Sequence, residues 1–214
     1  MKPGVFWPFW LGLALSVVLM LAGLAQGLSA KEYFSETGPV EVAGVLLFFL
    51  GAVAIIWFAP RGALGRGWFM PVLFLLMVAR ELDLDKRLTD KGILQLRLYS
   101  GDYPPGQKLF GLAMVALALS VAYLLIRRGL PVMRAAWRAG ERGWVAGALA
   151  GIGLLGIAKT VDGAGRKLAP WGINLSPETV TVLGRTEELF ELLGGLAFLL
   201  AICLWARRNA APGR

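Results

Sequence analysis

The sequence predicts an all-α integral membrane protein, a six-helix transmembrane bundle with both termini in the cytoplasm. Of its 214 residues, 57% are hydrophobic and only 17% are charged, which is too apolar for an ordinary soluble domain. The apolar residues form long runs, and the charged residues are divided unequally between the segments that join these runs. The bilayer is therefore the expected solvent.

Six runs approach the length that a membrane-spanning helix needs. A helix rises ~1.5 Å per residue, so about 20 apolar residues cross the ~30 Å hydrocarbon core. The first run exceeds the ~7–15 apolar residues of a signal peptide, so we expect it to be retained. All residues, 1–214, are predicted to form one transmembrane domain. Its predicted spans are residues 7–28, 42–58, 68–87, 109–126, 144–162 and 187–205.

Local patterns add detail to three segments. Ser176-Pro177-Glu178 is typical of a helix start, with a serine cap, proline at the first helical position and an acid in the first turn. Gly147-x3-Gly151 in the fifth run would let a neighbouring helix approach closely, so we expect the fifth span to be the central helix. The Arg-rich segment 127–143 predicts either a surface helix at anionic lipid head groups or a solvated connector.

Charge distribution predicts the orientation. One set of connecting segments and termini carries eleven basic residues and a single acid, Glu141, whereas the other set carries eleven basic residues and thirteen acids. Cytoplasmic loops are enriched in Lys and Arg, so the first set is predicted to be cytoplasmic, in a multi-pass protein of the bacterial inner membrane. Its basic residues are Lys2, Arg61, Arg66, Arg127, Arg128, Arg134, Arg138, Arg142, Arg207, Arg208 and Arg214.

Composition excludes several kinds of chemistry within this chain. It contains no histidine and one cysteine, Cys203. A disulfide within the chain, a Cys/His zinc site, histidine-ligated haem and a Ser-His-Asp triad are therefore excluded. P-loop and GxSxG motifs are also missing. The excess of basic residues does not indicate nucleic-acid binding, because these residues lie between apolar runs rather than on one basic face.

Charged residues lie at matching depths near the outer ends of the third, fifth and sixth predicted spans. Counting along a helix from Trp68 places Arg80 ~18 Å across, and Lys159 and Glu191 fall at ~21–22 Å by the same reasoning. Isolated charges in hydrocarbon are costly, so such residues normally face the bundle and pair with one another. We therefore expect Arg80 to pair with an acid of another span, in an outer-leaflet site between these three spans.

Residue chemistry suggests roles in such a site. Basic side chains bind phosphate or carboxylate oxygens, neighbouring carboxyl groups divide general acid and base roles, and oxygen ligands suit Mg²⁺ or Ca²⁺. The predicted substrate-binding residues are Arg80, Lys159, Asp162 and Arg166. The predicted catalytic residues are Glu81, Asp83, Glu188 and Glu191. The metal ligands, if Mg²⁺ or Ca²⁺ binds, are predicted to be Asp83, Asp85 and Glu187.

Three functions remain open at this stage. The first is an enzyme or binding protein for a lipid or lipid-linked anionic substrate. The second is a proton- or ion-coupled transporter, in which paired acids and bases exchange partners. The third is a non-catalytic membrane subunit with a structural salt-bridge network. The expected partners are membrane lipids, with either a periplasmic protein or a second copy of the chain, and no nucleic acid.

Overall fold

A computed structural model describes residues 4–35, 37–60 and 63–209, and every regular element in these ranges is helical. In chain order they are α1 (Trp7–Ala25), α2 (Ala30–Tyr33), α3 (Pro39–Phe58), α4 (Ala63–Gly67), α5 (Phe69–Glu81), α6 (Leu84–Leu88), α7 (Leu96–Ser100), α8 (Pro105–Leu124), a π-helical segment (Leu125–Gly129), α9 (Leu130–Arg138), α10 (Arg142–Val161), α11 (Ala164–Leu168), a 3-10 turn (Ala169–Trp171) and α12 (Pro177–Asn209).

Five helical segments of the described chain are long and apolar enough to cross a membrane. The protein is therefore all-helical with the helices of an integral membrane protein, as predicted. Lys2, Arg61 and Arg214, which contributed to the predicted orientation, lie outside the described residues. The five segments are Trp7–Ala25, Pro39–Phe58, Pro105–Arg138, Arg142–Val161 and Pro177–Asn209.

The predicted third span, residues 68–87, is divided between two helices. α5 ends at Glu81, and Asp83 adopts a left-handed backbone conformation (φ 46°, ψ 35°) before α6 begins. A right-handed helix cannot continue through such a residue. At the other end of α5, Trp68 keeps helical angles (φ −53°, ψ −29°) and joins it to α4. Glu81 therefore lies at a helix end, not inside a helix that continues to residue 87.

α12 and α3, rather than the predicted α10, are the central helices. α12 packs against α10, α3 and α1, whereas α3 packs against α1, α5 and α12. α10 is peripheral, but its glycines permit close packing as expected. A Cβ atom on Gly147 would lie 3.2 Å from the Cβ of Ala201, and one on Gly151 would lie 2.9 Å from the ring of Phe198. The small-residue pattern thus identified a helix contact but not the bundle centre.

The apolar core lies between α3 and its neighbours. Phe48, Ala54 and Phe74 are almost fully buried in one cluster that α3 and α5 build with Ile202 of α12. A Cβ atom on Gly51 would lie 2.5 Å from the ring of Phe74. Glycine at this position therefore lets α5 approach α3, and this approach brings the end of α5 towards α12.

Contacts near the helix ends define two opposite ends of the bundle. At one end, Nη1 of Arg128 donates a hydrogen bond to the carbonyl of Arg66 (3.1 Å), and Nε of Arg208 lies 2.8 Å from Oε1 of Glu141. We call this the basic end. The last turns of α5 and α10 lie at the opposite end, which we call the acidic end. α12 starts there at Pro177 as predicted, and the hydroxyl of Ser176 accepts a hydrogen bond from the N–H of Thr179 (3.2 Å).

Candidate functional site

The carboxylate of Glu191 on α12 is the meeting point of two cations at the acidic end. Its Oε1 accepts a hydrogen bond from Nη2 of Arg80, in the last turn of α5. The same oxygen lies 3.8 Å from Nζ of Lys159, in the last turn of α10. Nη2 of Arg80 also lies 3.1 Å from Oε1 of Glu81. One buried oxygen atom therefore links three helices.

Lys159 extends these contacts towards the end of α10. Its Nζ donates hydrogen bonds to Oδ2 of Asp162 (3.2 Å) and to Oε1 of Glu187 (3.4 Å). Glu187 and Glu191 are four residues apart on α12, so their side chains share one face of the helix. We call the whole group the Glu191 network; its members are Arg80, Glu81, Lys159, Asp162, Glu187 and Glu191.

Side-chain exposure separates the cations of the network from its central acids. The side chains of Glu191 and Glu81 are only 7% and 9% exposed. Those of Arg80 and Lys159 are each 44% exposed. The cations therefore form an accessible rim, and these two carboxylates lie behind it. Among the described residues no hydrogen bond is made by Nε or Nη1 of Arg80, so this guanidinium has donors available for a ligand.

The rim lies between α5 and α10, and these two helices pack against different neighbours. α5 packs on α3 and α8, whereas α10 packs on α12 and α9. Glu191 of α12 links the two helix ends through its contacts with Arg80 and Lys159. The prediction that Arg80 pairs with an acid of another span is therefore confirmed.

Four other predicted site residues lie outside the network. Asp83 pairs with Lys86, whose Nζ lies 2.7 Å from Oδ1 of Asp83. Asp85 makes no ion pair or hydrogen bond with a network residue in the described chain. Its backbone carbonyl accepts a hydrogen bond from the hydroxyl of Thr89 (2.5 Å). Glu188 and Arg166 make no ion pair within 4.0 Å in the described part of the chain. The break at Asp83 explains the separation of Asp83 and Asp85, because it directs α6 away from the line of α5.

The predicted metal ligands Asp83, Asp85 and Glu187 do not converge. Asp83 pairs with Lys86 and Glu187 with Lys159, and within residues 4–35, 37–60 and 63–209 no three Asp, Glu, His or Cys side chains are grouped to hold an ion. The break of the predicted third span at Asp83 places Asp83 and Asp85 at and beyond the end of α5. An Mg²⁺ or Ca²⁺ site at these residues stays a prediction.

Two residues near the network were missed by sequence reasoning. Glu41, in the first turn of α3, lies close enough to Glu188 for their carboxylates to repel each other. Its position at the start of an apolar run could have been the signal, but an acid in the first turn of a helix is also ordinary. Lys167 of α11 donates a hydrogen bond from Nζ to the carbonyl of Lys159 (2.8 Å). This bond holds α11 against the end of α10.

The network holds more carboxyl groups than cations. Four acids, Glu81, Asp162, Glu187 and Glu191, accompany Arg80 and Lys159. Carboxyl groups that share a cation in a poorly solvated place can take different protonation states, because ionisation of one opposes ionisation of the other. Glu81 and Glu191 are so placed, since both contact Nη2 of Arg80. The arrangement can bind an anion at its rim and exchange a proton behind it.

A separate groove lies at the same end of the bundle, between α1 and α3. It is open and mainly apolar, and its lining includes Leu19, Gly23, Pro39 and Val42. None of the network residues contributes to it.

Comparisons of the chain with protein-family models, with curated proteins and with solved structures gave no match.

Proposed function

We propose that this membrane protein binds the anionic head group of a lipid or lipid-linked substrate at the Glu191 network. The observation that carries this proposal is the exposed rim of Arg80 and Lys159 over the buried carboxylate of Glu191. The rim lies between α5 and α10, so a head group can approach it while its chains stay in the bilayer. Arginine suits such a ligand because its planar guanidinium matches the oxygens of phosphate and carboxylate.

Glu81 is the residue that we assign to acid–base chemistry, should the bound substrate react. It contacts Arg80 alone among the network cations, whereas Glu191 contacts both Arg80 and Lys159. Glu191 is therefore better held as the anion that positions the rim. In this proposal Glu81 exchanges a proton with the substrate next to the guanidinium that binds it.

The binding step is tested with the purified full chain in neutral detergent. Dihexanoyl phosphatidate is titrated by calorimetry, with dihexanoylglycerol as the uncharged comparison. A hydrogen bond to a charged group contributes ~1.5–3 kcal/mol, so Arg80→Gln should weaken phosphatidate binding by about 10- to 100-fold. Lys159→Gln should weaken it as well, and dihexanoylglycerol should not bind measurably better to wild type than to either variant.

Arg208→Gln is the matched control for Arg80→Gln. The Arg208 side chain is also 44% exposed and also forms an ion pair, with Glu141, but at the basic end. Equal losses of phosphatidate binding in the two glutamine variants would refute the proposed site, as would unchanged binding in Arg80→Gln. Size-exclusion profiles and melting temperatures establish that each variant is folded before binding is compared.

A proton- or ion-coupled carrier is the second candidate, and the four carboxyl groups for two cations favour it. Lys159 contacts three of these acids, so it can change partners as one of them takes up a proton. Proteoliposomes with a pH-sensitive dye inside test this function. Dissipation of a pH gradient that Glu191→Gln abolishes would favour the carrier over the lipid-binding site.

The proposal includes the orientation and location that the sequence predicted. In it α4 and α5 together form a sixth crossing, and both termini lie in the cytoplasm of a bacterium with the Glu191 network at the outer face of the inner membrane. The support is the excess of arginine at the basic end, which the positive-inside rule assigns to the cytoplasm. Membrane lipids are then the first partners, and a periplasmic protein or a second copy of the chain could cover the exposed loops.

A further inference from the structure

A second charged surface lies at the basic end, far from the Glu191 network. It consists of the exposed arginines of the π-helical segment and α9, followed by the first residue of α10. Arg127, Arg128, Arg134, Arg138 and Arg142 are all exposed. We call these five residues the arginine face.

Acidic residues do not neutralise the arginine face within the described chain. Glu141 is the one acid near it, and its carboxylate is held by Arg208 at 2.8 Å. Arg128 donates a hydrogen bond to a backbone carbonyl, and Arg142 lies over the ring of Trp137, 5.7 Å from its centroid. The arginine face thus presents a concentrated positive charge that the protein itself leaves uncompensated.

α9 is amphipathic in the way that suits the boundary of a bilayer. Arg134 and Arg138 are four residues apart and share one side of the helix. Leu130, four residues before Arg134, and Trp137, three residues after it, lie beside these arginines and are 38% and 44% exposed. Basic side chains next to an exposed Leu and Trp suit the boundary between lipid head groups and acyl chains. Trp is itself enriched at this boundary.

The length of the helix that begins at Pro105 places the start of the arginine face at the lipid head groups. From Pro105, the start of α8, to Arg127 the helix covers 22 residues, or ~33 Å, which matches the ~30 Å hydrocarbon core. Arg127 therefore reaches the head-group region when α8 crosses the membrane. Backbone angles stay helical at Leu125, Gly129 and Leu130, so Arg134 and Arg138 lie ~10 and ~16 Å further along the same axis. Their side chains lean towards the helix N-terminus and therefore point back to the head groups.

We propose that the arginine face binds the head groups of anionic phospholipids and gathers these lipids around the basic end of the protein. The partner is identified by charge complementarity: five exposed guanidinium groups next to an apolar helix side fit a phosphate attached to acyl chains. This surface is independent of the Glu191 network, because the two groups lie at opposite ends of the bundle and share no residue.

The test uses the full chain in nanodiscs that contain equal amounts of phosphatidylcholine and phosphatidylglycerol. After extraction into detergent, native mass spectrometry measures the ratio of retained phosphatidylglycerol to retained phosphatidylcholine. We expect wild type to enrich phosphatidylglycerol. Each arginine near an anionic surface contributes about fivefold to binding, so Arg134→Gln/Arg138→Gln should lower the ratio by up to about 25-fold. High salt should lower it too, because the interaction is screened.

Three controls keep the outcome decisive. Arg134→Lys/Arg138→Lys retains the charge and should retain most of the enrichment, which separates charge from loss of folding. Arg87→Gln/Arg97→Gln, which removes two exposed arginines outside both the arginine face and the Glu191 network, should leave the ratio unchanged and so separates this surface from positive charge in general. Added inorganic phosphate should not displace the lipid, since a free anion lacks acyl chains to engage Leu130 and Trp137.

The proposal is overturned if wild type retains both lipids equally, or if the glutamine pair retains the wild-type ratio. Displacement by inorganic phosphate would assign the surface to a free anion. Retention of RNA in a gel-shift assay that the glutamine pair abolishes, with no lipid preference, would assign it to nucleic acid. Either result would also refute the proposal.

Discussion

Arg80 and Glu191 are 111 residues apart in the sequence and form a hydrogen-bonded ion pair between α5 and α12. The carboxylate is buried and the guanidinium is half-exposed. The pair therefore holds two helices together while leaving its positive member open to a ligand. Its structural and functional contributions can be separated by substitution.

Glu191→Gln should destabilise the protein, because it leaves Arg80 and Lys159 without their shared anion. The cost should be below the ~3–5 kcal/mol of a fully buried pair, since both cations are half-exposed. Chemical denaturation in detergent measures it. Glu141→Gln, which breaks the partly exposed pair with Arg208, is the control and should cost less than Glu191→Gln, because one cation loses its partner instead of two.

Arg80→Met/Glu191→Leu should recover most of the stability that Glu191→Gln loses, because apolar pairs often replace ion pairs without cost. Phosphatidate binding should be weakened as in Arg80→Gln, since no guanidinium remains at the rim. A double variant that regains both stability and binding would show that the network is only structural. Denaturation and calorimetry on the same preparation decide between these outcomes.

Gly151→Leu should weaken packing between α10 and α12. Because a Cβ atom at this position would already lie 2.9 Å from the ring of Phe198, overpacking of this kind costs ~1–3 kcal/mol. Gly153→Leu is the matched control on the same helix, since no atom lies within 4 Å of its added Cβ. Equal melting temperatures for the two variants would contradict the helix contact described above.

Asp83 and Gly163 have left-handed backbone angles, with φ of 46° and 58°. Asp83→Asn should be close to neutral, because asparagine tolerates this conformation and only the contact with Lys86 is lost. Gly163→Ala should destabilise by about 1–2 kcal/mol. Its new Cβ would also lie 2.8 Å from Nη2 of Arg166. Thermal unfolding compares the two, and a neutral Gly163→Ala would argue against the turn at this residue.

The topology can be tested by labelling single cysteines in a Cys203→Ser background. Membrane-impermeant maleimide added to intact cells should label Gly101→Cys and Pro170→Cys. Arg134→Cys and Arg207→Cys should react only after the cells are permeabilised, because the basic end is proposed to be cytoplasmic. Labelling of Arg134→Cys in intact cells would reverse the orientation and place the Glu191 network inside.

The length of the apolar runs predicted the membrane helices, because the thickness of the bilayer fixes how many residues a crossing needs. The cost of an isolated charge in hydrocarbon predicted that Arg80 pairs with an acid of another helix. The turn at Asp83 was not predicted. A left-handed residue between two helical sequences changes little in composition, yet it ends α5 at Glu81 and places Asp85 on a separate helix.

The central position of α12 was also not predicted. Gly147 and Gly151 indicated close packing of α10, but glycine spacing does not say how many partners a helix has. α12 carries Glu191 near its middle and holds Glu141 through Arg208 near its C-terminal end. Its central position depends on contacts with α10, α3 and α1, which the sequence of one helix does not record.

α12 is continuous over 33 residues, or ~50 Å, and no break separates Glu191 from Arg208. A continuous helix of this kind can transmit a tilt along its length. If a ligand at the rim pulls Arg80 away from Glu191 and α12 tilts, Arg208 must shift against Glu141 about 25 Å away. Ligand binding at the acidic end would then change the contact between Arg208 and Glu141 at the basic end, because α12 connects the two.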